Sequence, residues 1–112
     1  MTFVLRENHT FKRKIEVKVP NDNGGFTAQS FMATFDAIDS EEAEQLYEDA
    51  DTHKDRVLLR RVFIDCDGIK DEEGNVETFS DDLRETLIKI PYVALPLITE
   101  FWKGLSGQKT KN

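Results

Sequence analysis

A chain of 112 residues is long enough for one domain whose core buries roughly two-thirds of the unfolded surface, and its 38% hydrophobic and 33% charged residues suit an ordinary globular fold rather than a disordered one. The formal charge of −7 argues against nucleic-acid binding, which needs a basic surface to displace counterions from phosphates. No apolar run approaches the roughly 20 residues that span a bilayer, MTFVLRENHTFKRK lacks the apolar stretch of a secretion signal, and one cysteine, Cys66, permits neither an intramolecular disulfide nor a cysteine-based zinc site. These features point to a reducing, cytoplasmic setting, with Cys66 as a small buried apolar residue.

The first third reads as β structure. In TFKRKIEVKVP the residues Phe11, Ile15, Val17 and Val19 share one parity, with Arg13 the exception, so one face of a strand is expected to be buried. Pro20 ends that strand, PNDNGG supplies residues that tolerate positive φ, and FTAQSFMATF resumes as the return strand of a hairpin. Phe31, Ala33 and Phe35 share a parity while Phe26 and Met32 lie on the other, which points to a bulge or to partial cover on both faces. TFVLRE is a candidate for a third short strand. If the first strand lies at a sheet edge, Lys12, Lys14 and Ile15 are where another subunit could pair with it.

The remainder reads as helical. Asp39 is a good N-cap and Glu42 would complete a capping box, opening a first helix with the apolar stripe Ala43, Leu46, Tyr47 and Ala50. A second helix over about 54–66 carries Leu59, Val62, Phe63 and Cys66 at helical spacing, with a strand through VLLRRVFI as the alternative. The basic clusters Lys12, Arg13, Lys14, Lys18 and Arg56, Arg60, Arg61 are not interleaved with stacking aromatics and read as solvated faces.

DCDGIKDEEGNVETFSDD, residues 65–82, has the acidity of a calcium loop without its spacing. A start at Asp65 puts Ile69 at position 5, Lys70 where the glycine belongs and Val76 at position 12, and starts at Asp67 or Asp71 put Glu72 or Val76 at the glycine position. The stretch reads instead as a loop or tiny hairpin, with Gly68 ending the second helix, Gly74 and Asn75 making the turn, and Ser80 capping a third helix. Pro91 suits the first position of a fourth helix that runs to about Leu105, with Pro96 removing one hydrogen bond inside it. The expected architecture is a single α+β domain: an N-terminal antiparallel β-hairpin or small sheet over about 1–37, a bundle of about four short helices over about 39–106, and a flexible basic tail at 107–112.

The fourth helix is apolar nearly all round. Ala94, Leu97, Ile98, Phe101 and Leu105 form one face by helical spacing, while Tyr92, Val93, Leu95 and Trp102 fall largely outside it. Such a helix is either central to a core or shared with a partner, and the shared reading makes it a groove for another protein's amphipathic segment or for another copy of this chain. Tyr92, Leu95, Phe101 and Trp102 are the leading residues for that surface. Catalytic patterns are not found: His9 and His53 have no ligand partner at i+4 and read as surface residues, and no nucleophile elbow or phosphate-cradling loop occurs. No enzyme activity, cofactor or metal is expected.

The order of segments, a polar hairpin followed by FMATFDAIDSEEAEQLYED and then LLRRVFID, GIKDEEGNVETFS, LIKIPYVALPLITEFWKGLSG and a basic KTKN ending, resembles the tail assembly chaperones of long-tailed bacteriophages and prophages. Where that family commonly has a Trp followed by an acidic residue before the acidic turn, this chain has Cys66 and Asp67. The resemblance implies a non-enzymatic helper in the host bacterial cytoplasm. It would bind the tape measure protein, keep it soluble, help recruit tail tube subunits, and be absent from the mature virion. In several such phages a ribosomal frameshift yields a longer form, which would diverge near GQKTKN. The alternative from another class is a small acidic regulatory or host-factor-binding phage protein; a tape measure gene beside this one would separate the two.

Overall fold

The computed structural model of the chain describes residues 1–107, so the flexible basic tail expected at 107–112 lies outside the described residues beyond Gly107. Strand β1, Thr10–Pro20, and strand β2, Phe26–Asp36, form the expected antiparallel hairpin, with an unbroken register from Thr10 opposite Asp36 to Pro20 opposite Phe26. Asn21 organises the connection, its Oδ1 accepting from the amides of Asn23 at 3.0 Å and Gly25 at 3.2 Å. Helix α1, Ser40–Asp49, and helix α2, Lys54–Val62, follow; then come strand β3, Phe63–Asp67, helix α3, Asp81–Ile88, and helix α4, Pro91–Leu105. The result is α+β: a three-stranded antiparallel sheet of order β1-β2-β3 and four helices among the described residues.

Several local expectations change. No strand forms over 1–9; the third strand is β3, and Gly68 therefore follows a strand rather than closing the second helix. The helix expected over 54–66 stops at Val62 because β2 has a second edge whose amides and carbonyls need partners. Residues 63–67 supply them, placing Phe63 opposite Phe35 and Cys66 opposite Ala33 on the core side. The register slips between Thr34 and Phe35, so the bulge lies between β2 and β3 and not within the hairpin. Phe26 and Met32 simply face solvent, with the Lys18 ammonium 5.2 Å from the centre of the Phe26 ring.

Capping proceeds largely as expected. Asp39 Oδ1 accepts from the Glu42 amide at 2.8 Å and Ser80 Oγ from the Leu83 amide at 3.1 Å. The capping box is only half made, because the Glu42 carboxylate is taken by Arg61, whose Nε donates to it at 2.6 Å and whose Nη1 donates to Asp36 at 2.7 Å. Arg61 thereby ties α2 to both α1 and β2, while Arg60 pairs with Glu85 at 2.9 Å and ties α2 to α3. In the acidic loop, Asp71 Oδ1 accepts from the amides of Glu73 and Asn75, both at 2.9 Å, and Lys70 bridges Val76 in a tiny hairpin. Those amides hold the Asp71 carboxyl below its ordinary range. Gly74 turns the chain at φ +86°, a conformation side chains rarely adopt.

One side of the sheet faces the helices. Phe35, Phe63 and Phe101 are fully buried, and their rings meet at 6.0 Å between Phe35 and Phe63 and 5.5 Å between Phe35 and Phe101, with Phe11 at 5.6 Å from Phe35. Arg13, the exception to the β1 pattern, lies among these residues at 6% exposure because Glu100 of α4 meets it: its Nη2 and Nε donate to Glu100 Oε1 at 2.8 and 3.1 Å. Gly104, one turn further along α4, lies against Phe11 and Arg13 so closely that a Cβ there would overlap the Phe11 ring and come within 2.9 Å of Arg13 Cδ.

Removing the carboxylate that faces a buried guanidinium is costly, whereas replacing both partners by apolar groups is often nearly neutral. Glu100→Ala is expected to lower stability by about 3 kcal/mol, and Arg13→Met combined with Glu100→Leu by much less, in urea unfolding. Gly104→Ala should lose about 1–3 kcal/mol by overfilling the seat of α4.

Candidate functional site

Folding leaves large apolar side chains exposed at Met1, Phe3, Val4 and Leu5, at Phe26, Met32, Ile64 and Val76, and along α4, where they fall in an ordered stripe. Tyr92, Leu95, Thr99 and Trp102 fall at i, i+3, i+7 and i+10, a single stripe along the helix, and the apolar members are exposed by 40%, 68% and 38% for Tyr92, Leu95 and Trp102 respectively. The stripe faces outward because the other side of α4 is seated on β1 through Glu100 and Gly104 and inserts Leu97, Ile98 and Phe101 into the core. Phe101, expected on the partner surface, is fully buried; its position sets it across the helix from Leu95, and its ring packs against Phe35 and Phe11. Val93, expected outside the core stripe, is buried at 5% exposure. Trp102 is partly supported from below, its ring 5.1 Å from that of Phe101 in an edge-on arrangement.

Tyr92 also borders a groove of about 310 Å³ that the sequence does not announce. Its apolar walls come from Val17 and Val19 of β1, Phe31 of β2, Ile69 of the acidic loop, Leu87 of α3 and Val93 of α4. Gln29, Ser30 and Lys70 complete its lining, and Tyr92 is the residue through which the stripe meets the groove. Tyr47 of α1 holds its proton above the ordinary range, chiefly through burial and then through the Asp55 carboxylate, with Trp102 acting in the opposite direction.

The edge-strand residues divide. Lys12 and Lys14 leave β1 on the open face of the sheet, but Ile15 points into the core and is fully buried, so its side chain is not offered to another subunit. Strand β1 is a sheet edge, yet Lys14 and Glu16 share a cavity of about 190 Å³ with Pro96, Thr99, Glu100 and Lys103, so an incoming strand would meet α4. His9 and His53 are exposed; His53 has a left-handed backbone at φ 54° and begins α2. Among the described residues, no group of three or more His, Cys, Asp or Glu side chains is placed to hold a metal ion. Among them, too, no helix is long and apolar enough to cross a membrane.

Comparison with known proteins finds no matching family model, no matching curated protein and no matching solved structure.

Cys66 lies under the sheet, where burial first and the Asp65 and Asp67 carboxylates next push its thiol up from 9.0 to about 11. In the unfolded chain the thiol ionises near its ordinary value, so between these limits the unfolded state has lost a proton that the folded state retains, and stability falls as pH rises through that window. Thiol reagents at neutral pH are expected to label Cys66 only after denaturation, and Cys66→Ala should reduce the alkaline loss of stability. Rapid labelling of the native protein would mean that the thiol is accessible.

Proposed function

We propose that this chain is a tail assembly chaperone of a long-tailed phage or prophage, a non-enzymatic protein that covers apolar helical segments of the tape measure protein, keeps that protein soluble and helps bring tail tube subunits to it. The observation that carries the reading is the exposed α4 stripe of Tyr92, Leu95 and Trp102, which at Tyr92 meets a groove lined largely by apolar residues. A stripe at helical spacing beside a groove suits an amphipathic helix laid along it, which is the form an unassembled tape measure would present. Apolar helical faces that are buried only once a tube surrounds them aggregate when left free.

Magnitudes favour many weak contacts over one strong one. Full burial of a large apolar side chain gains about 1.5–3 kcal/mol, and because Tyr92 and Trp102 are already more than half covered, each has about 1 kcal/mol left to give. Association costs an estimated 4–15 kcal/mol, so a single copy holds its client weakly. Copies ranged along one elongated client bind through avidity, and each is displaced in turn as tube subunits arrive. The net charge of −7 keeps the coated client in solution by mutual repulsion. Such a helper acts in the host bacterial cytoplasm and departs before the virion is complete.

Leu95 is the cleanest probe, since it is 68% exposed and its loss leaves the core untouched. Leu95→Ser, alone and with Tyr92→Ser, is expected to abolish co-purification of a co-expressed tape measure protein and return that protein to the insoluble fraction, with circular dichroism unchanged and the melting midpoint lowered only where Tyr92, which is partly covered, is also replaced. Phe101→Ala should instead destabilise the fold by about 3–5 kcal/mol. Full capture by the folded Leu95→Ser, Tyr92→Ser protein would refute the assignment of this surface.

A further inference from the structure

The side of the sheet turned away from the helices carries an ordered charge pattern. In one cross-strand row Lys12 lies opposite Thr34 and Thr34 opposite Asp65; in the next, Lys14 lies opposite Met32 and Met32 opposite Asp67. Each row runs from a cation on β1, across an uncharged residue on β2, to an anion on β3. With strands spaced at about 4.8 Å, the backbones at the two ends of a row stand roughly 10 Å apart, and Lys12, Asp65 and Asp67 border one shallow cavity without closing an ion pair across it. Among the described residues, none of these four charged groups has an ion-pair partner in its own chain. Asp65 is held in place, its Oδ1 accepting from the Cys66 amide at 2.9 Å, and Met32 between the charged ends is 39% exposed.

We propose that this open face pairs with the same face of a second copy, about a two-fold axis that runs parallel to the strands above β2. That operation exchanges β1 with β3 and preserves position along the strands. Lys12 and Lys14 of each copy then stand over Asp65 and Asp67 of the other, forming four ion pairs around a centre of Met32 and Thr34, in the aligned manner of packed sheets. A two-fold axis across the strands would instead set lysines on lysines and aspartates on aspartates. The bipolar pattern also selects the occupant. A uniformly charged partner, such as nucleic acid or an acidic peptide, would be attracted at one side of the face and repelled at the other, whereas a second copy of this chain presents the matching spacing with reversed order. The proposal uses none of the α4 stripe and stands or falls apart from the chaperone reading.

Exposed ion pairs are individually weak, so they fix the orientation of the two copies more than they add affinity, and the dimer is a reversible one that forms at high protein concentration. The copies also repel, each carrying −7. Charges on the outer surfaces of the two copies lie further apart than the Debye length of about 10 Å in 0.1 M salt, so their repulsion is largely screened while the close pairs are screened less. In about 1 M salt the Debye length falls to about 3 Å and the pairs weaken too.

Sedimentation velocity on the full chain tests this. The wild type is expected to dimerise in about 0.1 M salt, with the dissociation constant rising about tenfold or more in 1 M salt. Lys12→Glu with Lys14→Glu, and separately Asp65→Lys with Asp67→Lys, should each be monomeric, and mixing the two variants should restore a heterodimer of opposite charges. If a reversed pair disturbs folding by circular dichroism, Lys12→Gln with Lys14→Gln and Asp65→Asn with Asp67→Asn replace it, each again expected to be monomeric. A wild type that stays monomeric, folded variants that dimerise as it does, or reversed variants that fail to associate on mixing would each overturn the proposal. So would a monomer whose lysine variant lost capture of a helical client, because the face would then belong to a different partner.

Discussion

The architecture depends on how α4 is seated against β1. Arg13 enters the core from a strand otherwise apolar on that face, and it is tolerated there because Glu100 of α4 brings a carboxylate to its guanidinium at 2.8 Å. Gly104 lets the helix backbone come down onto Phe11 and Arg13 at the same place. Both contacts tie residues from the first and last elements of the chain, so this one seam closes the fold around the Phe35, Phe63 and Phe101 cluster. It also fixes the rotation of α4, because an ion pair and a backbone contact specify an angle in a way that nondirectional apolar burial does not.

That rotation decides which apolar residues remain outside. With Glu100 and Gly104 turned toward β1, Leu97, Ile98 and Phe101 necessarily enter the core, and Tyr92, Leu95 and Trp102 are left on the far side. The surface is thus the remainder of a packing solution, which is how a small chain can carry an apolar strip without losing its own stability. Charges are distributed by similar economy. Arg60 and Arg61 serve as ties between elements, so their positive charge is already met by Glu85, Glu42 and Asp36. The open face of the sheet keeps unmatched charges of both signs at opposite edges.

The parts of the fold legible from residue order are those governed by neighbours in the chain. The hairpin and its loop, the Asp39 and Ser80 caps, Pro91 at the start of α4 and the small turn at Gly74 are all set by contacts within a few residues. The α4 stripe was partly legible: spacing set Phe101 on one face with Leu97 and Ile98, the face that packs, although Phe101 was also expected on the partner surface. It left Val93 outside that face, because spacing alone does not orient a helix that is apolar nearly all round. Arg13 was visible as a break in the β1 pattern, and that break was the available signal that a distant carboxylate had to come to it. For the groove beside Tyr92 no signal existed, because its walls come from five separate segments.

Strand β3 shows the same division from the side of secondary structure. Leu59, Val62, Phe63 and Cys66 suit a helix by spacing, and nothing near them in the chain says where it should stop. The stop comes from β2, whose second edge needs hydrogen-bond partners and whose Phe35 and Ala33 offer contacts to Phe63 and Cys66. Sequence by itself determined the class of the fold, the turns, the caps and the existence of an apolar excess, because each follows from short-range sterics, hydrogen bonding and period. Tertiary structure alone decided where α2 gives way to β3, which face of α4 is buried and which charges remain unpaired, because those outcomes turn on groups that meet only when segments far apart in the chain are packed together.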